Sequence, residues 1–227
     1  PSPVRLADHN WPEGSHPLLS ICCTTYNHEA YIRDCIDGFL MQETSFPVEI
    51  LIHDDASTDR TAEIVREYEK RFPRLIKIIC QQENQYSQNR RVLGFLLPLV
   101  RGKYIALCEG DDFWTDPQKL EIQTRFLEEH PDYVISGHDA YIGDEHGKMV
   151  RKSVLAHNQK QDHSQQRLIQ GRAQIPNMSR VYRNVSVGDI PEIRMVKNID
   201  KFMLSLLGHY GKSKFHPEIE TPCYRTH

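Results

Sequence analysis

Residues 106–117, ALCEGDDFWTDP, set Asp111 and Asp112 side by side with Glu109 two positions earlier. Adjacent carboxylates repel, so either one member closes a turn or cap, or the pair awaits a cation. Two earlier stretches have a related form, an apolar run ending in polar, chemically able residues. SICCTTYN closes on Thr24, Thr25, Tyr26 and Asn27, and EILIHDD closes on His53, Asp54 and Asp55. One acidic loop is ordinary solvated surface; three such run ends brought to one rim would be a site.

The elements that must hold these ends follow from periodicity. Short β-leaning apolar runs at 18–24, 48–54, 75–80 and 103–108 predict four strands. Helical spacing predicts helices over 28–42, 57–72 (with Ser57 or Thr58 as N-cap), 88–100 and 116–130, the last with Pro117 in its first turn. DYVISGHDAYI (132–142) reads as one strand, or two with a bend, and NMSRVYRNVS (177–186) as a short strand. An amphipathic helix over 198–211 and one or two short strands complete the chain. Strand alternating with helix predicts an α/β fold with a mainly parallel central sheet flanked by helices. In such sheets ligands bind beyond the carboxyl ends of the strands, where the three polar run ends lie. Residues 1–17 are Pro-rich and aperiodic and read as an irregular arm, while 144–190 is polar, His-rich and reads mostly as exposed loop.

Composition narrows the classes. Hydrophobic residues make up 39% and charged residues 26%, ordinary for a globular protein, and a formal net charge of −3 gives no basic footprint for nucleic acid. The apolar run over 92–108 contains Pro98, Arg101 and Lys103 and predicts no transmembrane segment. Six cysteines without C-x-x-C spacing, four of them in strand-like runs, favour free thiols in a reduced, cytoplasmic compartment over disulfides or a zinc site. No signal peptide is visible, and a start at Pro1 rather than Met suggests one domain of a longer chain.

The set PLLSICCTTYNHEAYI, EILIHDDASTDRT, GKYIALCEGDDFWTDPQKL and NIDKFMLSLLGHYG, closing on YRTH, resembles the family-2 glycosyltransferases of GT-A fold in order and spacing, from about residue 17 to the end. The resemblance implies a single domain over 18–227. Residues 18–115 would form the nucleotide-sugar half, and 116–227 a smaller acceptor-side and catalytic half. It implies an inverting transfer from a UDP- or dTDP-sugar to the hydroxyl of a glycan or glycolipid acceptor, assisted by Mn²⁺ or Mg²⁺. Peripheral contact with the cytoplasmic face of a membrane is compatible with such an acceptor. By the same resemblance Asp112 is the direct metal ligand, with Asp111 at the ribose or a metal-bound water and His227 as a further ligand. Thr24, Tyr26, Glu29 and Asp55 match the nucleoside pocket. The Asp55 carboxylate can accept from a pyrimidine ring N–H, which favours uracil or thymine over cytosine.

Asp200 matches the position of the general base, although Ile199 stands where the family more usually has an acidic residue or Gly; an N-cap aspartate is the alternative. Arg225 is placed toward the diphosphate and Trp114 toward an acceptor sugar, with ordinary packing as the other reading of Trp114. A sugar-1-phosphate nucleotidyltransferase or a dinucleotide-binding protein would need a Gly-rich loop after the first strand, and TTYNHEAY has no Gly. A non-catalytic GT-A scaffold module is the remaining alternative, and having both Asp112 and Asp200 argues against it.

Overall fold

The computed structural model describes residues 2–9, 11–12, 14–185, 196 and 198–227. The chain runs through β1 (Val4–Arg5), β2 (Leu19–Thr25), α1 (Ile32–Leu40), β3 (Glu43–Thr44) and β4 (Val48–Asp54). Next come α2 (Thr61–Arg71), β5 (Ile76–Cys80), the short α3 (Leu93–Leu96) and β6 (Tyr104–Glu109). The second half comprises α4 (Lys119–Glu129), β7 (Tyr133–Gly137), β8 (Tyr141–Gly143), β9 (Met149–Arg151) and α5 (Gln165–Ile169). It closes with β10 (Val181–Arg183), α6 (Ile199–Leu207), β11 (Lys212–Phe215) and β12 (Cys223–Arg225).

Among the described residues, seven strands form the central sheet in the order β11-β7-β10-β6-β2-β4-β5. The pairs β6–β2, β2–β4, β4–β5 and β7–β11 are parallel, and β10 is antiparallel to both its neighbours, so the sheet is mainly parallel as expected. Its strands read as unbroken apolar runs because both faces are covered. Alternate residues part to opposite sides. Ile50 and Ile52 join Phe39 of α1, Val65 of α2 and Leu120 of α4, while Leu51 joins Leu96 of α3, Leu168 of α5 and Leu204 of α6. A three-stranded sheet, β12-β8-β9, sits apart, with β12 parallel to β8.

Several boundaries differ from the sequence expectation, each for a local reason. The arm over 1–17 is not wholly irregular: Val4 and Arg5 pair antiparallel with Thr44 and Glu43, and Leu6 is buried. The helix expected from 57 begins at Thr61, because Ser57 donates its hydroxyl to Asp54 Oδ1 (2.5 Å) and the Thr58 amide is held by Asn27 Oδ1 (2.8 Å). Pro117 likewise precedes α4 rather than opening it. The helix expected over 88–100 is broken by Asn89, which takes a left-handed conformation at φ 59°, and shrinks to α3 between short 3₁₀ turns. The segment 132–142 is two strands in different sheets. Between them Asp139 turns the chain by accepting the amides of Ala140 (2.8 Å) and Leu155 (3.1 Å). Residues 144–176 hold β9 and α5, which the weak pattern there did not signal, and part of the expected strand over 177–186 is a 3₁₀ turn, Asn177–Ser179.

The register sets the rim. Thr24 lies opposite both His53 and Glu109, and Thr25 opposite Asp54, so the carboxyl ends of β2, β4 and β6 finish level. Because β10 is antiparallel, with Val181 facing Ala106 and Arg183 facing Tyr104, it begins where its neighbours end. Asn177 and Arg180 therefore enter the same rim from the second half of the chain.

Candidate active site

The paired aspartates sit on a tight turn packed against β2. Gly110 donates its amide to the Thr24 carbonyl at 2.9 Å, and a Cβ at Gly110 would come within 2.6 Å of Thr25 Oγ1 and 3.0 Å of His28 Nδ1. This close approach puts Asp111 at the cavity and Asp112 beneath it. Asp112 is buried, and its Oδ1 accepts the Arg225 amide at 2.9 Å. Burial first, and then the charge of Asp111, push the Asp112 carboxyl up to about 8. Asp111 Oδ1 is buried with no hydrogen-bond partner among the described residues. One oxygen each of Glu109, Asp111 and Asp112 lies within 4.8 Å of the others. Carboxylates held together, one orphaned and one hard to ionise, fit a divalent cation, whose charge would relieve both conditions.

A cavity of about 570 Å³ opens beside this cluster, lined by Thr24, Tyr26, Asp55, Tyr86, Glu109 and Asp111 among others, within the usual range for a small-molecule site. Asp55 is buried in its wall, where Oδ1 accepts the Gln85 amide (2.8 Å) and Oδ2 the Tyr86 amide (2.9 Å). Each of its oxygens keeps a lone pair for a ligand donor. The following residue, Ala56, stands at φ 61°, a left-handed conformation that a residue with a Cβ adopts at a cost. Glu29 faces elsewhere: its carboxylate accepts the Arg60 amide at 2.8 Å, before α2, and it does not line the cavity.

Thr24, Tyr86, Val92 and Glu109 also line a second, deeper cavity of about 210 Å³. Leu107, Met203 and Leu207 give it an apolar floor, and Arg180 and Asp200 lie at its polar side. Asp200 is exposed in the first turn of α6, and it is not the cap. Asn198 takes that role, accepting the Lys201 amide at 3.0 Å, so the Asp200 carboxylate is not used in capping α6. Glu109 accepts from Asn177 Nδ2 at 3.3 Å, and desolvation, followed by Asp111 and Asp200, raises its carboxyl. Arg180 is buried and donates twice to the Ile175 carbonyl, at 2.9 and 2.6 Å.

Besides Glu29 and the buried Asp112, three more residues singled out in the sequence lie outside these cavities. Trp114 is a correction: it is 2% exposed, so stacking on an acceptor sugar is not open to it. Its ring centroid lies 4.8 Å from that of Phe39, Lys119 Nζ sits 4.5 Å from the ring centre, and Nε1 donates to the Met178 carbonyl at 2.8 Å. The core supplies both an apolar bed and an acceptor for the indole N–H. Arg225 is buried between the rings of Tyr31 and Phe113 (4.7 and 5.1 Å) and donates to Asp34 Oδ2 at 2.9 Å, lining neither cavity. His227 is exposed, its ring 4.8 Å from Tyr31 and 6.1 Å from His28.

The sequence reading missed His28, Tyr86, Asn177 and Arg180. Tyr86 was within reach of the rule already used, since it follows the carboxyl end of β5. His28 directly follows the TTYN run end. Asn177 and Arg180 carried no signal, because their place depends on the reversed direction of β10.

Comparison with known proteins bears on what this rim is for. The sequence profile of Glycosyl transferase family 2 matches residues 20–186. The chain belongs to that family. It is 45% identical over 126 residues to the uncharacterized protein Rv1520 of Mycobacterium tuberculosis, covering 55% of this chain and 35% of that one. It is 39% identical over 97 residues to the uncharacterized glycosyltransferase EpsJ of Bacillus subtilis, covering 43% of this chain and 27% of that one. The chain thus spans about a third or less of these two relatives. Staphylococcus aureus TarS in complex with UDP-GlcNAc superposes with a TM-score of 0.66 at 16% identity, over 92% of this chain and 58% of that one. The mannosyltransferase PcManGT of Pyrobaculum calidifontis, in complex with GDP-Man and Mn²⁺, gives 0.64 at 15% identity, over 96% and 60%. These likenesses place the fold as GT-A, and among the described residues no helix is long and apolar enough to cross a membrane.

Proposed function

We propose that this domain transfers a glycosyl group, with inversion, from a UDP- or dTDP-sugar to an acceptor hydroxyl, assisted by a divalent cation. The observation that carries the reading is the junction of two cavities at Thr24 and Glu109, with the acidic cluster on one side and on the other the Asp200 carboxylate, which is not the helix cap. Asp55, Thr24 and Tyr26 line the end suited to a nucleoside. Asp111 and Asp112 supply carboxylates for the cation, which when bound would neutralise charge growing on the departing diphosphate. Asp200 accepts the proton of the acceptor hydroxyl as that oxygen attacks the anomeric carbon opposite the leaving group. Glu109, with its carboxyl raised, and Arg180 flank the space between, suited to hydroxyls of the transferred sugar. In this reading residues 18–115 build most of the nucleotide side and 116–227 the acceptor side. The acceptor belongs to glycan or glycolipid chemistry, and a cytoplasmic setting agrees with six cysteines that form no disulfide.

A thermal-shift screen of nucleotide sugars with Mn²⁺ tests the donor, because a matching ligand at 100 times its Kd stabilises by about 2.7 kcal/mol. Stabilisation by UDP- or dTDP-sugars over GDP- and CDP-sugars is expected. Binding without transfer or hydrolysis would instead favour a scaffold domain.

A further inference from the structure

His28 has no role in the proposed transfer, yet it faces the metal cluster. Its Nε2 lies 4.0 Å from Asp111 Oδ2, and its Nδ1 is buried without a partner among the described residues. One donor atom each from His28, Asp111 and His227 falls within 4.8 Å of the other two. Atoms bound to one ion at about 2.1 Å can be no more than about 4.2 Å apart. The His28–Asp111 pair already meets that limit, and the exposed His227 has at most about 0.6 Å to close (4.8 less 4.2). Asp111 belongs to both donor sets, so nitrogen ligands would join the carboxylates rather than replace them.

We propose that His28 is a metal ligand, and that His28, Asp111 and His227 form a two-imidazole, one-carboxylate seat that prefers a first-row transition ion to Mg²⁺. The chemistry follows from the donors: imidazole suits borderline ions, whereas Mg²⁺ seeks oxygen and keeps its water. His28 also packs closely on the acidic turn, since a Cβ at Gly110 would stand 3.0 Å from its Nδ1. The proposal rests on the glycosyl-transfer reading for the purpose of the ion, not for its binding.

The test reads metal ligation directly, on the full chain with and without UDP. Mn²⁺ is titrated with free ion followed by electron paramagnetic resonance, and the bound ion is examined by electron spin echo for nitrogen modulation. Wild type should show imidazole modulation. His28→Gln should weaken Mn²⁺ binding by about 100-fold, the upper end of what loss of a mere supporting partner costs, and reduce that modulation. A His28→Gln/His227→Gln double variant should abolish the modulation. His28→Asp, which swaps nitrogen for oxygen, should bind Mn²⁺ and narrow the Co²⁺-over-Mg²⁺ preference by about tenfold. Nitrogen modulation absent from wild type, or unchanged in His28→Gln, overturns the assignment, as does failure to bind Mn²⁺ under both conditions. A nucleotide-sugar thermal shift run alongside separates that failure from failure of the transferase reading, since donor binding would persist in the first case only.

Discussion

Gly110→Ala is the sharpest probe of how the acidic turn is built. The backbone there lies outside the left-handed region, so alanine meets no conformational barrier and the whole cost is steric. The new Cβ would stand 2.6 Å from Thr25 Oγ1, 2.8 Å from Thr25 Cβ and 3.0 Å from His28 Nδ1. Thr25 is buried on β2 and holds the Asp55 amide through its carbonyl at 3.0 Å, so it cannot yield without moving Asp55 and the cavity wall. Overpacking of this kind costs about 1–3 kcal/mol, and for a domain of this size each kcal/mol lowers Tm by about 2–4 °C. Urea unfolding of wild type and variant reads the difference. Gly94→Ala in α3 is the control, where a Cβ meets nothing within 4 Å, and it should gain about 0.5–1 kcal/mol. Adding Thr25→Ala should recover part of the Gly110→Ala loss, because Oγ1, which has no partner among the described residues, is removed while the 2.8 Å contact with Cβ persists. The two changes should therefore couple by more than about 0.5 kcal/mol. A Gly110→Ala protein within about 0.5 kcal/mol of wild type, or strict additivity with Thr25→Ala, would refute the reasoning.

Three further outcomes are expected. Asp200→Asn should lower turnover by about 10²–10⁴ while leaving donor binding in the thermal-shift assay unchanged, and equal turnover would remove Asp200 from the mechanism. Ala56→Gly relieves the φ 61° strain and should raise the urea midpoint by the equivalent of about 0.5–1 kcal/mol after the entropy of Gly is set against it; a loss of stability would contradict this. Burial lowers Lys119 to about 7 from 10.5, so between those values the unfolded chain carries the extra proton and rising pH favours the folded state. Unfolding followed from pH 7 to 9 should therefore show a slope in wild type, up to about 1.4 kcal/mol per unit from this group, that is lost in Lys119→Met; parallel profiles would refute it.

The parallel core was legible because β2, β4 and β6 are covered on both faces and so read as continuous apolar runs, with polar ends that the register then brings level. The features that escaped depended on direction or depth. Trp114 after two aspartates is the same string whether it stacks on sugar or fills the core, and only its burial against Phe39, with the Met178 carbonyl as acceptor, decides. The cap alternative for Asp200 fell away only once Asn198, two residues earlier, was seen to hold the helix end. Glu29 and Asp55 looked alike as acidic residues near strand ends, but one is turned to the Arg60 amide and the other lines the cavity. The helix expected over 88–100 failed on one left-handed asparagine, a conformation that periodicity does not encode.

The reversed strand β10 has a consequence for how this scaffold can vary. A parallel strand reaches the rim only at its carboxyl end, so changing the loop beyond that end disturbs the level ends of β2, β4 and β6. An antiparallel strand reaches the same rim at its amino end, and Asn177 and Arg180 arrive there from a segment covalently remote from β2, β4 and β6. Outside Leu168, which packs with Leu51 of β4, and Ile175, whose carbonyl holds Arg180, the loops of 144–176 can thus lengthen or shorten while β2, β4 and β6 keep their register. On the proposed roles, acceptor choice and donor choice would be separable units of inheritance, and a graft across those loops should redirect one without retuning the other.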